Sequence, residues 1–359
     1  MKHITKVERI ERKHYSLLIP HGYKPLLDVR TTERAIDQIK RGFSLELAER
    51  LNLQRASAPL FLDPKKGLQD NLNGVELPVE FRPGNIPGTV LQVPHSLAKW
   101  KRDALHTYHY GVGEGIWTDM NAIRKDERTD STHSIYVDQY DWEKRITKKE
   151  RNLETLQAIV KTIYGAMRAV ENMVKESFGI ESGLPAEIAF VHTEELEQKY
   201  PKLSPRERET AIVRECGAVF IRGIGAKLPK SGTYHDGRAP DYDDWSTIAG
   251  DGRPGLNGDI FVWHPALQIG LELSSMGIRV DSKAMVQQLK ERGAYKERAN
   301  LPFHKGVIKG RIPLSVGGGI GQSRLCMFLL KKAHVGEVQA ARWPEGMELE
   351  LARHGITLL

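Results

Sequence analysis

An α+β fold, with a central and mainly antiparallel sheet flanked by helices, is what this amino-acid sequence predicts. Three observations carry that expectation. Apolar strand-like runs follow one another without the regular intervening helices of a doubly wound parallel sheet. Two long stretches repeat apolar residues in steps of three and four, the period of amphipathic helices. Finally, 359 residues without an internal repeat, low-complexity tract or linker are enough to bury one large core. Residues 1–30, polar and punctuated by Pro20, Gly22 and Pro25, read as an N-terminal extension, and 31–359 as a single domain.

In chain order, a first helix is expected from Thr32 to about Leu51, with Ile36, Ile39, Phe43, Leu47 and Leu51 on one face. Residues 56–100 read as strands and turns, with apolar runs at 58–62, 75–81 and 89–93. A strand over 134–142 places Ile135, Val137, Gln139 and Asp141 on one face. Two polar groups ending an apolar face suggest that the face ends in a site. The longest helix carries Leu153, Leu156, Val160, Ile163, Met167, Val170 and Val174, with Thr147 and Glu150 offered as its capping box. That stripe is assigned to core or subunit contact.

A short strand over 187–191 follows, and Ser204-Pro205-Arg206-Glu207 opens another helix with serine as cap and proline at the first helical position. Further strands are expected near 218–222, 258–263 and 267–273, then a helix from about Ser282 that Gly293 stops. Gly317-Gly318-Gly319-Ile320-Gly321 reads as a flexible turn delivering Arg324 to the mouth of a buried terminal helix. This run lacks the Gly-Lys-Ser/Thr ending of a P-loop, and Gln322 stands where a dinucleotide fingerprint needs its third glycine.

Hydrophobic content of 40% and charged content of 28% are those of an ordinary globular protein. The net charge of +7 suggests an anionic ligand, although the surplus is spread along the chain. Its densest cluster, Lys99-Trp100-Lys101-Arg102, reads as a helix-borne basic face meeting solvent or RNA. Cys216 and Cys326 stand in apolar company and are expected as buried free thiols, which fits a reducing compartment and excludes a four-cysteine zinc site. No run approaches the ~20 apolar residues of a membrane span. Residues 16–20 are too short for the core of a signal peptide, so a cytoplasmic protein is expected.

Four segments concentrate side chains that a core does not need. Residues 69–74, Gln-Asp-Asn-Leu-Asn-Gly, could be only a turn. Residues 95–102 place His95 and Ser96 before the basic cluster. Arg124, with Glu127 three residues on, could be a surface ion pair or a phosphate-binding arginine. The fourth comprises Arg238-Ala239-Pro240-Asp241-Tyr242-Asp243-Asp244, then Asp259, Glu272, Ser275 and Arg279. Asp259 and Glu272 lie on otherwise apolar strands, where a carboxylate requires a cation or strong donors. Magnesium shared with phosphates would serve, and so would an internal ion pair to Arg279.

Arg124-x-x-Glu127, an acidic strand pair and Gly319-x-Gly321-x-x-Arg324 occur in an order that resembles the second and third signature motifs of class II aminoacyl-tRNA synthetases. Asp70-Asn71-Leu72, residues 95–102, 136–143, 238–246, 255–260 and 272–280, and the segment from Gly317 are more closely similar to the aspartate–ammonia ligase family. The resemblance runs from about residue 31 to the C-terminus. It implies a class II synthetase-like domain that makes L-asparagine from L-aspartate, ATP and ammonia through a β-aspartyl-adenylate, releasing AMP and pyrophosphate.

By the same resemblance, Asp70 and Asp141 would lie near the ammonium end of aspartate with Gln139 as a neutral partner, Lys101, Ser275 and Arg279 would face its carboxylates, and Ser96 would also bind aspartate. Arg124 would hold the α-phosphate and the attacking carboxylate. Glu127, Gly319, Gly321 and Arg324 would line the nucleotide, and Asp259 and Glu272 would carry Mg2+. Arg124, Lys101 and Asp243 are the catalytic candidates, with Asp243 receiving or deprotonating ammonium. Ammonia should come from solution, because the chain starts Met1-Lys2-His3 and neither cysteine has an amidotransferase setting. A homodimer is implied, with neither membrane nor nucleic acid as partner. An aspartyl- or asparaginyl-tRNA synthetase relative and a non-catalytic synthetase-like RNA-binding protein are the rival readings.

Overall fold

Most apolar-periodic segments form the elements that their periods dictate in the computed structural model, which describes residues 6–72 and 76–359. A hairpin of β1 (Val7–Glu11) and β2 (Ser16–Pro20) leads into α1 (Val29–Leu51) and β3 (Leu53–Arg55). Two short strands, β4 (Glu80–Phe81) and β5 (Leu91–Gln92), precede α2 (Ala98–Thr107). Next come β6 (Gly115–Ile123), β7 (Tyr136–Arg145) and α3 (Leu153–Phe178). They are followed by β8 (Ala189–His192), α4 (Thr193–Lys199), α5 (Pro205–Cys216) and β9 (Ala218–Arg222). The rest is β10 (Asn257–His264), β11 (Ile269–Ile278), α6 (Ser282–Glu291), α7 (Tyr295–Arg298), α8 (Pro302–Ile308), β12 (Ser315–Gly321), α9 (Gln322–Leu329) and α10 (Glu345–Arg353).

Eight strands make one sheet in the order β3-β6-β7-β12-β11-β10-β9-β8. Its neighbours are antiparallel except at the edges, where β3 pairs with β6 and β8 with β9 in parallel. Period-two alternation sends Tyr140 and Trp142 of β7 into a helical layer of α1, α3 and α9. The α1 face (Ile36, Ile39, Phe43, Leu47) and the α3 stripe (Leu156, Val160, Ile163, Met167, Val170) share that core, so the stripe is spent within the chain. The opposite face of β7 carries Val137, Gln139 and Asp141 into an open cavity, with Glu143 buried beneath.

Several expectations change. The glycine run is no turn: Gly317, Gly318 and Gly319 lie in β12, in the middle of the sheet. A Cβ at Gly317 would strike the Glu143 carboxylate and come within 2.7 Å of Arg279, and one at Gly318 would meet Met276 Cβ at 2.5 Å. Glycine is required there by close approach and not by a positive φ. The cap of α3 is Asn152, which accepts from Thr155 N–H at 2.8 Å, while Thr147 and Glu150 close a separate turn upstream. Residues 58–61 form no strand and Leu62 only bridges to Gln92. Val75, expected to begin a strand, and Asn73 and Gly74 of the Asn-rich segment lie outside the described residues. Cys216 is only half-buried, whereas Cys326 is fully buried.

The N-terminal hairpin, α4 and α10 carry no element in the sequence reading. Ile10, Tyr15, Leu17 and Ile19 of the hairpin segment are buried in the main core. Among the described residues no helix is long and apolar enough to cross a membrane.

Candidate active site

The basic cluster is not a surface patch. Lys99, Lys101 and Arg102, at the start of α2, are each 1% exposed. Lys99 Nζ donates to Asp241 Oδ2 at 2.8 Å, and Arg102 donates to the carbonyls of Pro313 at 3.0 Å and Val280 at 2.8 Å. Lys101 Nζ donates to Asp141 Oδ1 and to the Gly318 carbonyl, both at 2.6 Å. Such buried charges demand partners, and here every one has them. Burial pushes the Lys101 ammonium down, against the pull of Asp141.

One end of a cavity of about 350 Å³ is acidic. Asp70, 2% exposed, accepts from Ser96 Oγ at 2.6 Å and from Leu72 N–H at 2.8 Å. Asp141 also accepts from Leu97 N–H at 3.1 Å, at the N-terminus of α2, where the helix dipole favours a carboxylate. Gln139 stands beside it, and a Cβ at Gly319 would strike the Gln139 amide. The glycines of β12 are thus a low floor over which the side chains of β7 can lie.

The middle of the cavity is a buried ionic lattice. Arg279 donates to both Glu143 oxygens, with Nε at 3.0 and 3.1 Å and Nη2 at 2.8 Å, and through Nη1 to Asp243. Burial opposes its charge, but Glu143 and Asp243 raise the guanidinium further above its usual range. Arg238 reaches Asp259 Oδ1 at 2.5 Å, Ser275 Oγ at 3.1 Å and, by Nε, Asp243 Oδ2 at 3.7 Å. The ion pair expected as the bland account of Asp259 therefore goes to Arg238, not to Arg279. A bulge brings this lattice together. Ile260 pairs with Ser274 and Phe261 with Glu272, leaving Leu273 extra. The phase of β11 shifts there, so Glu272 and, beyond it, Ser275 and Arg279 all reach the cavity.

Asp259 is 4% exposed, and burial together with Glu272 pushes its carboxyl up to about 7 against the pull of Arg238. Burial likewise opposes the charge of Glu272, yet Arg324 and Arg238 hold it below the usual carboxylate range. The donor set fits magnesium. The two carboxylates share Arg238, and an added hard cation would relieve Asp259. No group of three or more metal-ligating side chains is gathered among the described residues.

Two further arginines line the same cavity. Arg124 begins the β6–β7 connection, which its N–H closes at the base by donating to the Ile135 carbonyl at 2.8 Å. Its guanidinium makes a long contact of 3.5 Å with the His95 carbonyl, and among the described residues its buried Nε has no partner. Arg324, near the start of α9, donates to the carbonyls of Thr132 at 3.3 Å and Glu272 at 3.2 Å and stands 3.7 Å from the Glu272 carboxylate.

Every expected site residue lines this cavity except Asp259, which stands behind it through Arg238. Two of the expected assignments concern side chains that are already paired within the protein. Lys101 and Arg279, assigned to substrate carboxylates, are taken up by Asp141, Glu143 and Asp243. Asp243, assigned to ammonium, lies between Arg279 and Arg238 and is their counter-ion. Sequence reasoning missed Arg238 as a site cation, although it opens the quoted Arg-Ala-Pro-Asp segment. It also missed Glu143, the next residue in the 137–139–141 alternation.

A sequence profile for a family described as aspartate-ammonia ligase matches residues 30–355. An "Aspartate--ammonia ligase" of Clostridium perfringens is 53% identical over 344 residues, covering 96% of this chain and 99% of that protein. One of Limosilactobacillus fermentum is 53% identical over 345 residues, covering 96% of this chain and 100% of its own. Among solved structures, the asparaginyl-tRNA synthetase of Pyrococcus horikoshii complexed with asparaginyl-adenylate superposes with a TM-score of 0.63 at 13% identity, covering 88% of this chain and 70% of that one. The enzyme of the same name from Entamoeba histolytica gives 0.61 at 13% identity, covering 87% and 67%. At that identity the likeness is one of fold, the class II synthetase fold.

Proposed function

The chain belongs to the aspartate–ammonia ligase family, and from that premise we propose that its cavity holds aspartate and ATP end to end. As a member of that family the protein makes L-asparagine from L-aspartate and ammonia with ATP. The observation that supports placing the reaction here is a contrast among cations within one cavity. Lys101, Arg238 and Arg279 are each fixed by carboxylates at close range, whereas among the described residues Arg124 has only a distant carbonyl and an unpartnered Nε. A guanidinium held open in that way is suited to an incoming anion.

In this reading Asp70 and Asp141 receive the α-ammonium of aspartate, with Gln139 as a neutral neighbour. Arg124 neutralises the β-carboxylate and the α-phosphate as they approach. A carboxylate oxygen attacks the α-phosphorus, the bond to pyrophosphate breaks, and β-aspartyl-adenylate forms. Ammonia then attacks the β-carbonyl carbon, AMP leaves with the bonding pair of its C–O bond, and the surplus proton on nitrogen passes to solvent. No side chain becomes a nucleophile, so positioning and charge neutralisation supply the catalysis. Arg324 extends along the nucleotide. Asp259 and Glu272 would hold Mg2+, which when bound supplies positive charge to the phosphates.

Lys101 and Arg279 set the positions of Asp141 and Asp243 instead of gripping substrate directly. We place the reaction in the cytoplasm, where Cys216 and Cys326 stay reduced. Incubation with aspartate, MgATP and ammonium is expected to give asparagine with AMP and pyrophosphate in equal amounts. Formation of ADP and phosphate would contradict the adenylate route, and equal rates with glutamine would contradict the use of free ammonia.

A further inference from the structure

The β6–β7 connection carries Arg124 at its start and puts Thr132, His133 and Ser134 on the cavity wall. Its outer side is held by the N-terminal hairpin, which precedes the residues that the family profile matches. Arg128 Nη2 donates to Glu11 Oε2 at 3.0 Å and to the carbonyls of Arg12 at 2.9 Å and Tyr15 at 3.2 Å. Ser16 N–H donates to the Thr129 carbonyl at 3.3 Å, and Leu18 N–H to Ser131 Oγ at 2.9 Å. On the inner side, the Thr132 carbonyl accepts from Arg324 Nε at 3.3 Å. A short path of hydrogen bonds and chain thus links the hairpin to the arginine at the head of α9. The hairpin is itself anchored, with Ile10, Leu17 and Ile19 buried in the main core.

We propose that the β1–β2 hairpin, through Arg128 and Ser131, positions the β6–β7 connection for ATP. The proposal rests on the reading of this cavity as the aspartate–ATP site. A loop that must order itself on binding loses affinity by the entropy it gives up, and a loop already tied down does not. Arg128 suits the task by geometry more than by charge. Its side chain is half-exposed, where an ion pair to Glu11 contributes little, but Nη2 alone reaches two carbonyls and a carboxylate at once. Both residues are positioning residues, since neither lines the end of the cavity where the reaction is placed.

The test compares Arg128→Ala, Arg128→Lys, Ser131→Ala and the double alanine variant with the wild-type full-length chain. ATP dissociation constants come from titration calorimetry, KM for ATP and for aspartate from asparagine formation, and thermal midpoints from unfolding. Arg128→Ala is expected to weaken ATP binding about fivefold and the double variant about tenfold, close to 1.4 kcal/mol. Affinity for aspartate and the thermal midpoint should hold, and Arg128→Lys, whose ammonium also offers its donors from one nitrogen, should recover most of the loss. ATP binding within twofold of wild type in the double variant would overturn the proposal. So would a loss shared equally by both substrates with a lowered midpoint, which would make the hairpin a general cover. Failure of the wild type to form asparagine would count instead against the reaction assigned to the cavity, while the calorimetric comparison would still read the effect of the hairpin.

Discussion

Arg124 and Asp259 illustrate opposite uses of charge in one site. The first is a cation with its partners withheld, and the second is an acid whose partners only half suffice. Replacing Arg124 by alanine is expected to lower kcat/KM for ATP by at least a hundredfold, about 2.7 kcal/mol of transition-state stabilisation. Steady-state kinetics at saturating aspartate would check this, and unchanged turnover would remove Arg124 from the mechanism. Asp259, pushed up to about 7 by burial and by Glu272, gains its proton as pH falls through neutrality. The magnesium concentration for half-maximal rate should therefore rise between pH 7.5 and 6, and Asp259→Asn should abolish that pH dependence while raising the requirement throughout. A magnesium requirement independent of pH in the wild type would show that Asp259 does not hold the ion.

At the scale of elements, β12 decides whether the site can exist. Gly317 faces the Glu143–Arg279 pair across the sheet, and any Cβ there displaces a fully buried ion pair. Gly317→Ala is expected to cost about 3 kcal/mol or more in stability, read from urea unfolding, since it combines overpacking with a broken buried pair. A loss below 1 kcal/mol would mean that the sheet yields there. This strand also marks the limit of what the sequence discloses. A run of glycines before an apolar helix has the local signature of a turn, and only the cross-strand neighbours reveal why side chains are excluded. The Lys99-Trp100-Lys101-Arg102 cluster failed for the same reason: its charges look solvated until Asp241, Asp141 and two backbone carbonyls far along the chain come into view. By contrast α1 and α3 were legible from their period and α5 from its cap, because those signals lie within one or two turns. Residues 137, 139 and 141 were legible as a site face for a similar reason. Glu272, Ser275 and Arg279 could share a face only through the bulge at Leu273, which no local pattern announces.

One helical layer covers one face of the sheet, while on the other face α2 and α4–α5 flank the cavity; the stability of the whole should reflect what the burial of histidines demands. His192 and His264 are pushed down to about 4 and His334 to about 3, in each case chiefly by burial. Neutral imidazole is thus favoured by the fold. Their contribution is complete above the unfolded value near 6.5 and is lost as pH falls from there through 4. Asp259 acts with the opposite sign, since its raised pKa removes stability as pH rises from about 4 to 7. Unfolding free energy is therefore expected to decline from pH 6.5 to 4.5, and His264→Gln to reduce that decline. Stability flat across this window in both proteins would contradict the neutral, buried state.

The central claim is that the β-carboxylate of aspartate attacks the α-phosphorus of ATP in this cavity. Aspartate labelled with 18O in its β-carboxylate tests that directly. One labelled oxygen should appear in each AMP formed, with none in pyrophosphate. Label in inorganic phosphate released with ADP, or unlabelled AMP, would contradict it.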